Sequence, residues 1–386
     1  MIKIPVLAFC LTASVCFQAA AAPSNVILHY AGFAVSGEDA DESKSFPYTH
    51  DLLSQRGSTD VDLQKELNRR VKDVISDHFS LTGDKSQSSK SGDSLAVAFV
   101  LTWENFAQEK VRPNYKITAD LRAEVLIFDY QAMKVVAAVP FGVQSRDVLP
   151  QAPTEDDKKA IFRAMYIGDS HNIFDLFVKT LKSADIKMSY GAYTQLVGID
   201  FDDNAQSQIK NLGVDLDQVR EFIAGAFDAS LSSNAAISVL PFIKGQAIGG
   251  TMAARFENGD VYNLTLPSPD FPIWLTVRGF KKVVLDSNAV ETGLAYASYY
   301  RITIGRPLSE TPYLASNFKY AVSKVVPKSV DDTDDWAAYQ ESILSFLDGF
   351  TRQLNSQDSR WLKQWSEDQD VQPQLAAAGQ ALLKCK

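Results

Sequence analysis

The sequence contains few of the residues from which catalytic and metal sites are built. Its 386 residues include four histidines and three cysteines. No two histidines lie four residues apart, which excludes an HExxH zinc site. There is no G-x-S-x-G elbow, and the S-x-x-K that begins at Ser316 has no S-D-N or K-T-G companion. The sequence therefore predicts no catalytic residue and no cofactor, and a role as an enzyme stays open.

Basic residues are outnumbered and not clustered. Lys and Arg total 38 against 47 Asp and Glu, a formal net charge of −9. Nucleic-acid affinity depends on a basic surface that neutralises phosphates, and an anionic membrane surface has the same requirement. The sequence therefore predicts neither nucleic acid nor an anionic membrane surface as a partner.

Long apolar runs are also missing beyond the amino terminus, so no membrane span is predicted. The first residues have the three parts of a secretion signal, namely basic Lys3, an apolar stretch over residues 4–15, and small residues at 19–22. We expect residues 1–21 to be a signal peptide cleaved after Ala21. This predicts a periplasmic or secreted protein.

The cysteines allow an alternative, because Cys10 and Cys16 lie in or beside the apolar stretch. A lipid-acceptor cysteine normally follows a small residue, whereas Phe9 and Val15 precede these two, so cleavage is favoured over lipidation. Only Cys385 then remains, which excludes an internal disulfide. We expect a frayed terminal thiol there rather than an intermolecular disulfide.

Residues 22–150 have the pattern of a first α/β unit. Residues 26–35 and 95–103 are apolar enough for buried strands. Between them, residues 36–57 are predicted to be a loop, and Thr59 with Asp62 to open a helix whose apolar stripe runs to Phe79. Residues 116–128 show the cleanest period-two pattern in the chain, which predicts a strand with one wet face, followed by a short turn and a hairpin partner over residues 135–143. The residues of the wet face are Lys116, Thr118, Asp120, Arg122 and Glu124.

This order of strand, helix, buried strand and long hairpin, with Ile127-Phe128-Asp129-Tyr130 before the turn, resembles a known domain type. It is similar to the small α/β domain of curli-secretion-channel and TolB amino-terminal type envelope proteins. The resemblance covers about a third of the chain and is one of pattern, and the acidic first loop departs from it. It implies a scaffolding or assembly role in a bacterial envelope.

The rest of the chain divides into a helical connector over residues 151–188, a second α/β unit over 189–330 and a helical tail over 331–386. In the second unit, strands at 190–201 and 237–243 flank a helix capped by Asp215. Hairpin strands at 252–256 and 261–266 then continue into a meander. The order repeats that of the first unit and suggests a duplication. The predicted fold class is α+β, with two mixed-sheet units and a tail docked on its own sheet.

Two segments imitate ligand loops. Residues 245–251 read G-x-x-x-x-G-T, but Thr251 stands where a phosphate loop needs Lys, so a glycine linker is predicted. Asp200, Asp202 and Asn204 imitate the first ligands of a calcium loop, but Ala205 replaces the required Gly. Solvated carboxylates at the end of a strand are the preferred interpretation, and a weak cation site at these three residues is the alternative.

Three functions are compatible with the sequence. The first is a non-catalytic, exported accessory protein that binds another envelope protein. The second is a binding module for a small solute or glycan, suggested by 22 Phe, 14 Tyr and 5 Trp and by the cluster Tyr296, Tyr299 and Tyr300. The third is a secreted hydrolase whose carboxylates are brought together by folding. The oligomeric state is not predicted.

Overall fold

A computed structural model of the chain describes most of the residues that follow the predicted signal. The described ranges are 26–36, 42–54, 62–72, 74–76, 79–82, 94–111, 113–184, 186, 190–243, 251–256, 260–328 and 334–386. The predicted signal peptide, with Cys10 and Cys16, lies outside them, as does most of the glycine linker. Within the described ranges, no helix combines the length and the apolar character needed to cross a membrane.

The described residues form eleven strands and ten helices. The strands are β1 (Val26–Ser36), β2 (Phe79–Thr82), β3 (Leu95–Val111), β4 (Asn114–Asp129), β5 (Lys134–Leu149), β6 (Thr194–Phe201), β7 (Thr251–Phe256), β8 (Val261–Thr265), β9 (Phe271–Ser287), β10 (Glu291–Arg306) and β11 (Ser309–Pro327). The helices are α1 (Glu42–Ser45), α2 (Pro47–Ser54), α3 (Leu63–Lys72), α4 (Glu155–Ile167), α5 (Ile173–Ser183), α6 (Asp203–Asn211), α7 (Leu216–Ala235), α8 (Asp335–Ser356), α9 (Ser359–Trp365) and α10 (Val371–Leu382). The predicted α+β class is confirmed.

The first sheet has the order β2-β1-β3-β4-β5-β8-β7. β1 is parallel to β2 and β3, and β3, β4 and β5 form an antiparallel run that contains the predicted β4–β5 hairpin. β7 also pairs with β1, which links the two sides of the sheet. The β7–β8 hairpin, expected in a meander of the second unit, therefore belongs to the first sheet.

The second sheet has the order β11-β10-β9-β6, with β6 parallel to β9 and the other pairs antiparallel. In both sheets a first strand lies parallel to the next sheet strand, and a two-stranded antiparallel extension follows. The order β1-β3-β4-β5 is thus repeated by β6-β9-β10-β11. The sequence also suggested a repeated order, but it assigned the strand over 237–243 and the β7–β8 hairpin to the second unit, whereas the observed repeat is built from β6, β9, β10 and β11.

Three apolar clusters hold these layers together. Helices α2 to α5 cover one face of the first sheet around buried Phe33, Phe99 and Phe174. The β7–β8 hairpin covers part of the opposite face. The largest cluster joins α6, α7, α8 and α10 to one face of the second sheet. The tail therefore docks on the protein's own sheet, as predicted, because its Phe346 and Phe350 pack on Tyr300 and Phe318.

The loop expected over residues 36–57 is wrong for its described part, which contains α1 and α2. The physical reason lies outside the segment. The buried carboxylate of Glu104, on β3, accepts hydrogen bonds from the backbone N–H groups of Tyr48 (2.8 Å) and Thr49 (2.9 Å) in the first turn of α2. Such a bond satisfies donors that a helix start leaves free. A local pattern could not show this distant cap.

The helix expected to run to Phe79 is shorter than predicted. α3 ends at Lys72, and Phe79 begins β2, where its side chain is buried. Ile75, placed in the predicted stripe, is 85% exposed. Glu66 and Arg70, four residues apart on α3, form an ion pair at 2.8 Å. The apolar spacing therefore continued past the true end of the helix.

Two further expectations need correction. The strand predicted over residues 237–243 is reduced to one isolated bridge at Leu240. Cys385 is fully buried in the second core, and burial raises its thiol pKa to about 12. A terminal turn over Leu383–Cys385 holds it there. The thiol is therefore packed, not frayed.

The wet face predicted for β4 is also wrong at its centre. Asp120, Arg122 and Glu124 are all buried, with at most 6% exposure. Helix α7 lies over them, since an Arg122 guanidinium N–H donates to the Phe222 carbonyl at 2.6 Å. A polar row on a strand was interpreted as solvent-facing, whereas a helix from the second unit covers it.

Candidate functional site

The far end of the second sheet brings together several exposed apolar side chains. We call residues 281–293 and 321–328 the arm. They comprise the end of β9, the turn into β10, the start of β10 and the end of β11. Twelve large apolar side chains are exposed among the described residues, and five of them lie in the arm. These are Val283, Val284, Leu285, Val290 and Val325, with exposures of 38, 60, 58, 72 and 64%. Clustered exposed apolar groups mark an interaction surface more often than isolated ones.

The arm is a formed sheet. Its strands stay paired to the tip, where Glu291 pairs with Pro327 and Thr292 with Ser287, although the β9–β10 register shifts once between Gly293 and Leu294. The turn is closed by Asn288, whose side-chain oxygen accepts the backbone N–H groups of Val290 and Glu291. The Lys328 N–H donates to the Val290 carbonyl at 2.7 Å. The exposed apolar groups are therefore held on a backbone organised before any partner arrives.

The arm is also locally basic. It contains four lysines and two carboxylates, in a chain whose formal net charge is −9. The lysines are Lys281, Lys282, Lys324 and Lys328, and the carboxylates are Asp286 and Glu291. Residues 281–282 and 324–328 are far apart along the chain, so the sequence shows each pair of lysines but not the basic cluster that folding makes of them.

The base of the arm is fixed to the tail. Lys282 donates to a carboxylate oxygen of Asp335 at 2.7 Å, and the hydroxyl of Tyr296 donates to the same oxygen at 2.7 Å. Burial opposes the charge of Lys282, but its hydrogen bonds to Asp335 and Tyr296 raise its pKa overall. The start of α8 therefore anchors the arm through one carboxylate.

A polar pocket of about 460 Å³ lies beside this anchor, where the end of β3, the end of α6 and the start of α8 meet. Its wall includes side chains that pair with sugars and other polar solutes in proteins, namely carboxylates, amides and one indole. They are Gln108, Glu109, Asn211, Asp334, Asp335 and Trp336. Asp334 also caps α8 by accepting the Ala337 N–H, so part of the wall has a structural role.

The aromatic cluster suggested for a glycan does not lie at this pocket. Tyr296 and Tyr300 are 1 and 0% exposed under α8, and Tyr300 stacks on Phe346 with ring centroids 4.1 Å apart. Tyr299 projects toward the other face of the sheet and is half-buried. Two of the three tyrosines therefore belong to the core.

The predicted cation site falls at the junction of β6 and α6. Asp200 is exposed on β6, Asp202 is the N-cap residue of α6, and Asn204 lies in its first turn. The Asn204 amide donates toward the Arg278 carbonyl at 3.5 Å. In the part of the chain that the structure describes, no three His, Cys, Asp or Glu side chains gather as metal ligands. Ion binding by these three residues stays a prediction.

A second group of carboxylates lies buried between β4 and α7. Burial, together with the nearby charge of Asp228, raises the pKa of Glu124 to about 8. Burial raises the pKa of Asp228 well above its usual range, although Arg122 and a backbone N–H oppose this. One oxygen of each acid has no hydrogen-bond partner among the described residues. Glu124 and Asp228 are 2 and 6% exposed, so a substrate cannot reach this acid pair in this conformation.

Sequence reasoning missed the arm because its residues have an ordinary strand pattern. The pair Val283-Val284 and the alternating end of β11 fit a covered meander equally well. Exposure follows instead from where the covering elements stop. β6 pairs with β9 only as far as Val277, and α8 begins to cover β10 at Tyr296. The one available signal was the concentration of lysines around these valines.

The fold, an α+β chain with two mixed sheets, provides the basis for comparison with known proteins. No protein-family model and no curated protein matches the chain. Among solved structures, it has a likeness to a crystal structure described as a neuraminyllactose-binding hemagglutinin homolog from Helicobacter pylori. The two chains are 14% identical, the match covers 45% of this chain and 88% of the other, and the TM-score is 0.22. A likeness of this size carries no argument about function.

Proposed function

We propose that the protein is an exported, non-catalytic accessory protein that binds another envelope protein through the arm. The observation that supports this function most is the cluster of five exposed apolar side chains on an ordered, basic sheet end. Leaving such groups in water is unfavourable by about 25 cal/mol per Å² of apolar surface, and a partner that covers them removes this cost. Export is supported by the predicted signal over residues 1–21.

Site-specific photocrosslinking in living cells tests this proposal. A photoreactive residue at position 284 or 290 should give one discrete protein adduct, and the same residue at position 148 should give none. Val148 is a suitable control because it is exposed to 57% on the first sheet, far from the arm along the chain. The adduct from position 290 should disappear when Val284 and Leu285 are replaced by Asp. Adducts that persist in this double variant, or that form equally from position 148, would refute the proposal.

A second function, binding of a small polar solute or glycan, is favoured by one observation. The pocket beside α8 combines the indole of Trp336 with the amides of Gln108 and Asn211. Its volume of about 460 Å³ lies within the usual range for small ligands. Thermal-shift screening with neutral and acidic saccharides tests this function. A response that is lost in Asn211→Ala but kept in Asn288→Ala, at the arm turn, supports it, and a flat response across the panel removes it.

A further inference from the structure

The edge strand β11 has backbone groups that do not pair with β10. In the inner half of the strand, these groups already bond to other residues of this protein. Alternate residues of β11 bond to β10, so the residues between them direct their backbone groups outward. At the inner half, the Ala315 N–H donates to Gln374 (3.1 Å) and the Asn317 N–H to Asp368 (2.7 Å). The Asn317 carbonyl accepts the Glu367 N–H at 2.9 Å. Residues of the tail thus act as a partial added strand.

The outer half of the same edge is open. By the same alternation, the next outward N–H groups belong to Lys319, Ala321, Ser323 and Val325. Within the described ranges these N–H groups have no hydrogen-bond partner, since Asn317 is the last residue of this edge whose outward N–H donates to the tail. Pro327 then ends the series, because proline has no N–H. The stretch whose outward N–H groups have no partner, residues 319–325, is about as long as a short strand.

The side chains beside this edge define what could lie along it. Val322, Val325 and Val326 provide apolar contacts on the two faces of β11, and Lys319, Lys324 and Lys328 provide positive charge. One lysine is partly neutralised, since Lys324 lies 3.5 Å from Glu341. An extended peptide that contains both apolar and acidic residues complements both properties.

We infer that the partner supplies an extended, acidic and apolar segment that pairs with residues 319–325 as an added strand. This inference rests on the proposed function and names the chemistry of the partner. Main-chain hydrogen bonds provide affinity in this mode of recognition, and the alternating side chains provide specificity. The tail residues that already bond to Ala315 and Asn317 show that this edge accepts such bonds.

Two substitutions at one position test the backbone pairing. Ser323→Pro removes an outward N–H on an edge where the sheet tolerates proline, and Ser323→Ala keeps that N–H as the matched control. The probe is a fluorescein-labelled heptapeptide of alternating Val and Glu, with a Val and Lys heptapeptide for comparison. Fluorescence anisotropy should show saturable binding of the Glu peptide, weakened about tenfold by Ser323→Pro and unchanged by Ser323→Ala. The Lys peptide should bind at least about tenfold more weakly than the Glu peptide.

Several results would overturn the inference. They are absence of saturable binding of the Glu peptide, equal affinity for the Lys peptide, and an unchanged affinity in Ser323→Pro. Light scattering adds another, since a wild-type dimer that dissociates on Ser323→Pro would identify a second copy of this chain as the occupant. The cellular crosslink at position 290 separates the two proposals. If it persists in Ser323→Pro, the partner binds the arm without pairing to β11, and the proposed function stands while this inference fails.

Discussion

The two sheets share a strand order but differ in how much of each is covered. In β1-β3-β4-β5, helices cover one face, and the β7–β8 hairpin with α7 covers much of the other. In β6-β9-β10-β11, the largest apolar cluster lies on one face and thins out toward the arm. The same topology therefore yields a buried scaffold in one unit and an accessible surface in the other.

The comparison shows that burial follows the covering elements and not the polarity of the strand. Charged Arg122 and Glu124 are buried in the first sheet because α7 extends over them. Apolar Val284 and Leu285 are exposed in the second because neither β6 nor α8 reaches them. Each sheet thus contains residues that contradict the rule that charged side chains are exposed and apolar ones are buried. In both sheets the cause is how far the covering elements extend.

The largest loss of stability is expected from Arg122→Ala, in the covered first sheet. Arg122 donates to the Phe222 carbonyl and to Asp120 (3.0 Å), and its guanidinium lies 4.9 Å from the Phe222 ring. Its removal leaves buried acids without their cation, which typically costs about 3–5 kcal/mol. Urea denaturation should show this loss, whereas Arg301→Ala, at an exposed arginine of the second sheet, should change stability by less than about 0.5 kcal/mol. A loss below about 1 kcal/mol in Arg122→Ala would show that α7 does not depend on this contact.

The next effect is a pH dependence that belongs to the first sheet. The pKa of Glu124 is raised from 4.5 to about 8 in the folded protein. The folded state therefore holds a proton that the unfolded state releases between these values. Its stabilisation is complete below pH 4.5 and is lost as the pH rises through about 8.

Glu124→Gln, which cannot ionise, should remove this slope. The difference in unfolding free energy between variant and wild type should grow by about 1 kcal/mol per pH unit in that window, in favour of the variant. Urea titrations at three pH values measure it, with Glu291→Gln in the exposed arm as the control. Parallel pH profiles for wild type and Glu124→Gln would contradict the buried position of this acid.

A smaller loss of stability is expected from substitutions of Thr49 in α2, which is bonded to the first sheet through Glu104. The Thr49 hydroxyl donates to Glu104 and lies 2.7 Å from the Tyr166 hydroxyl. Thr49→Val keeps the shape but removes both contacts, which should cost about 1–2 kcal/mol. Thr49→Ser keeps the hydroxyl and should retain more of the stability. Equal losses in the two variants would assign the effect to packing instead.

The smallest effect is expected in the arm. Replacing Val284 or Val325 by Ser should change the unfolding free energy by less than about 0.5 kcal/mol, because both side chains are already in water. The same replacements should weaken the cellular crosslink described above. A large loss of stability in either variant would mean that these side chains are covered within the protein, and the comparison between the sheets would fail.

The sequence predicted the parts of this fold that depend on neighbouring residues. The cap of Asp215 was found at its predicted place, since its side chain accepts backbone N–H groups within one turn. The alternation of β4 gave the correct strand and the correct buried face. Its other face was misassigned, because α7 comes about 100 residues later.

The candidate surface was the least predictable part. The arm combines residues from three strands, and its exposure depends on where other elements end. The helix start at Tyr48 depends in the same way on Glu104, which lies 56 residues away. Local patterns identify the residues that are suited to burial, whereas the positions of the covering elements decide which of them are buried.

Cys385 gives the tail a built-in chemical reporter. Its thiol is fully buried and its pKa is about 12, so little nucleophilic thiolate is available at neutral pH. Its backbone carbonyl also accepts the Ser238 N–H at 3.3 Å, which ties the last residues to the segment after α7. Alkylation of this thiol will follow the opening of the carboxyl-terminal turn and will time the release of the tail, without any introduced label.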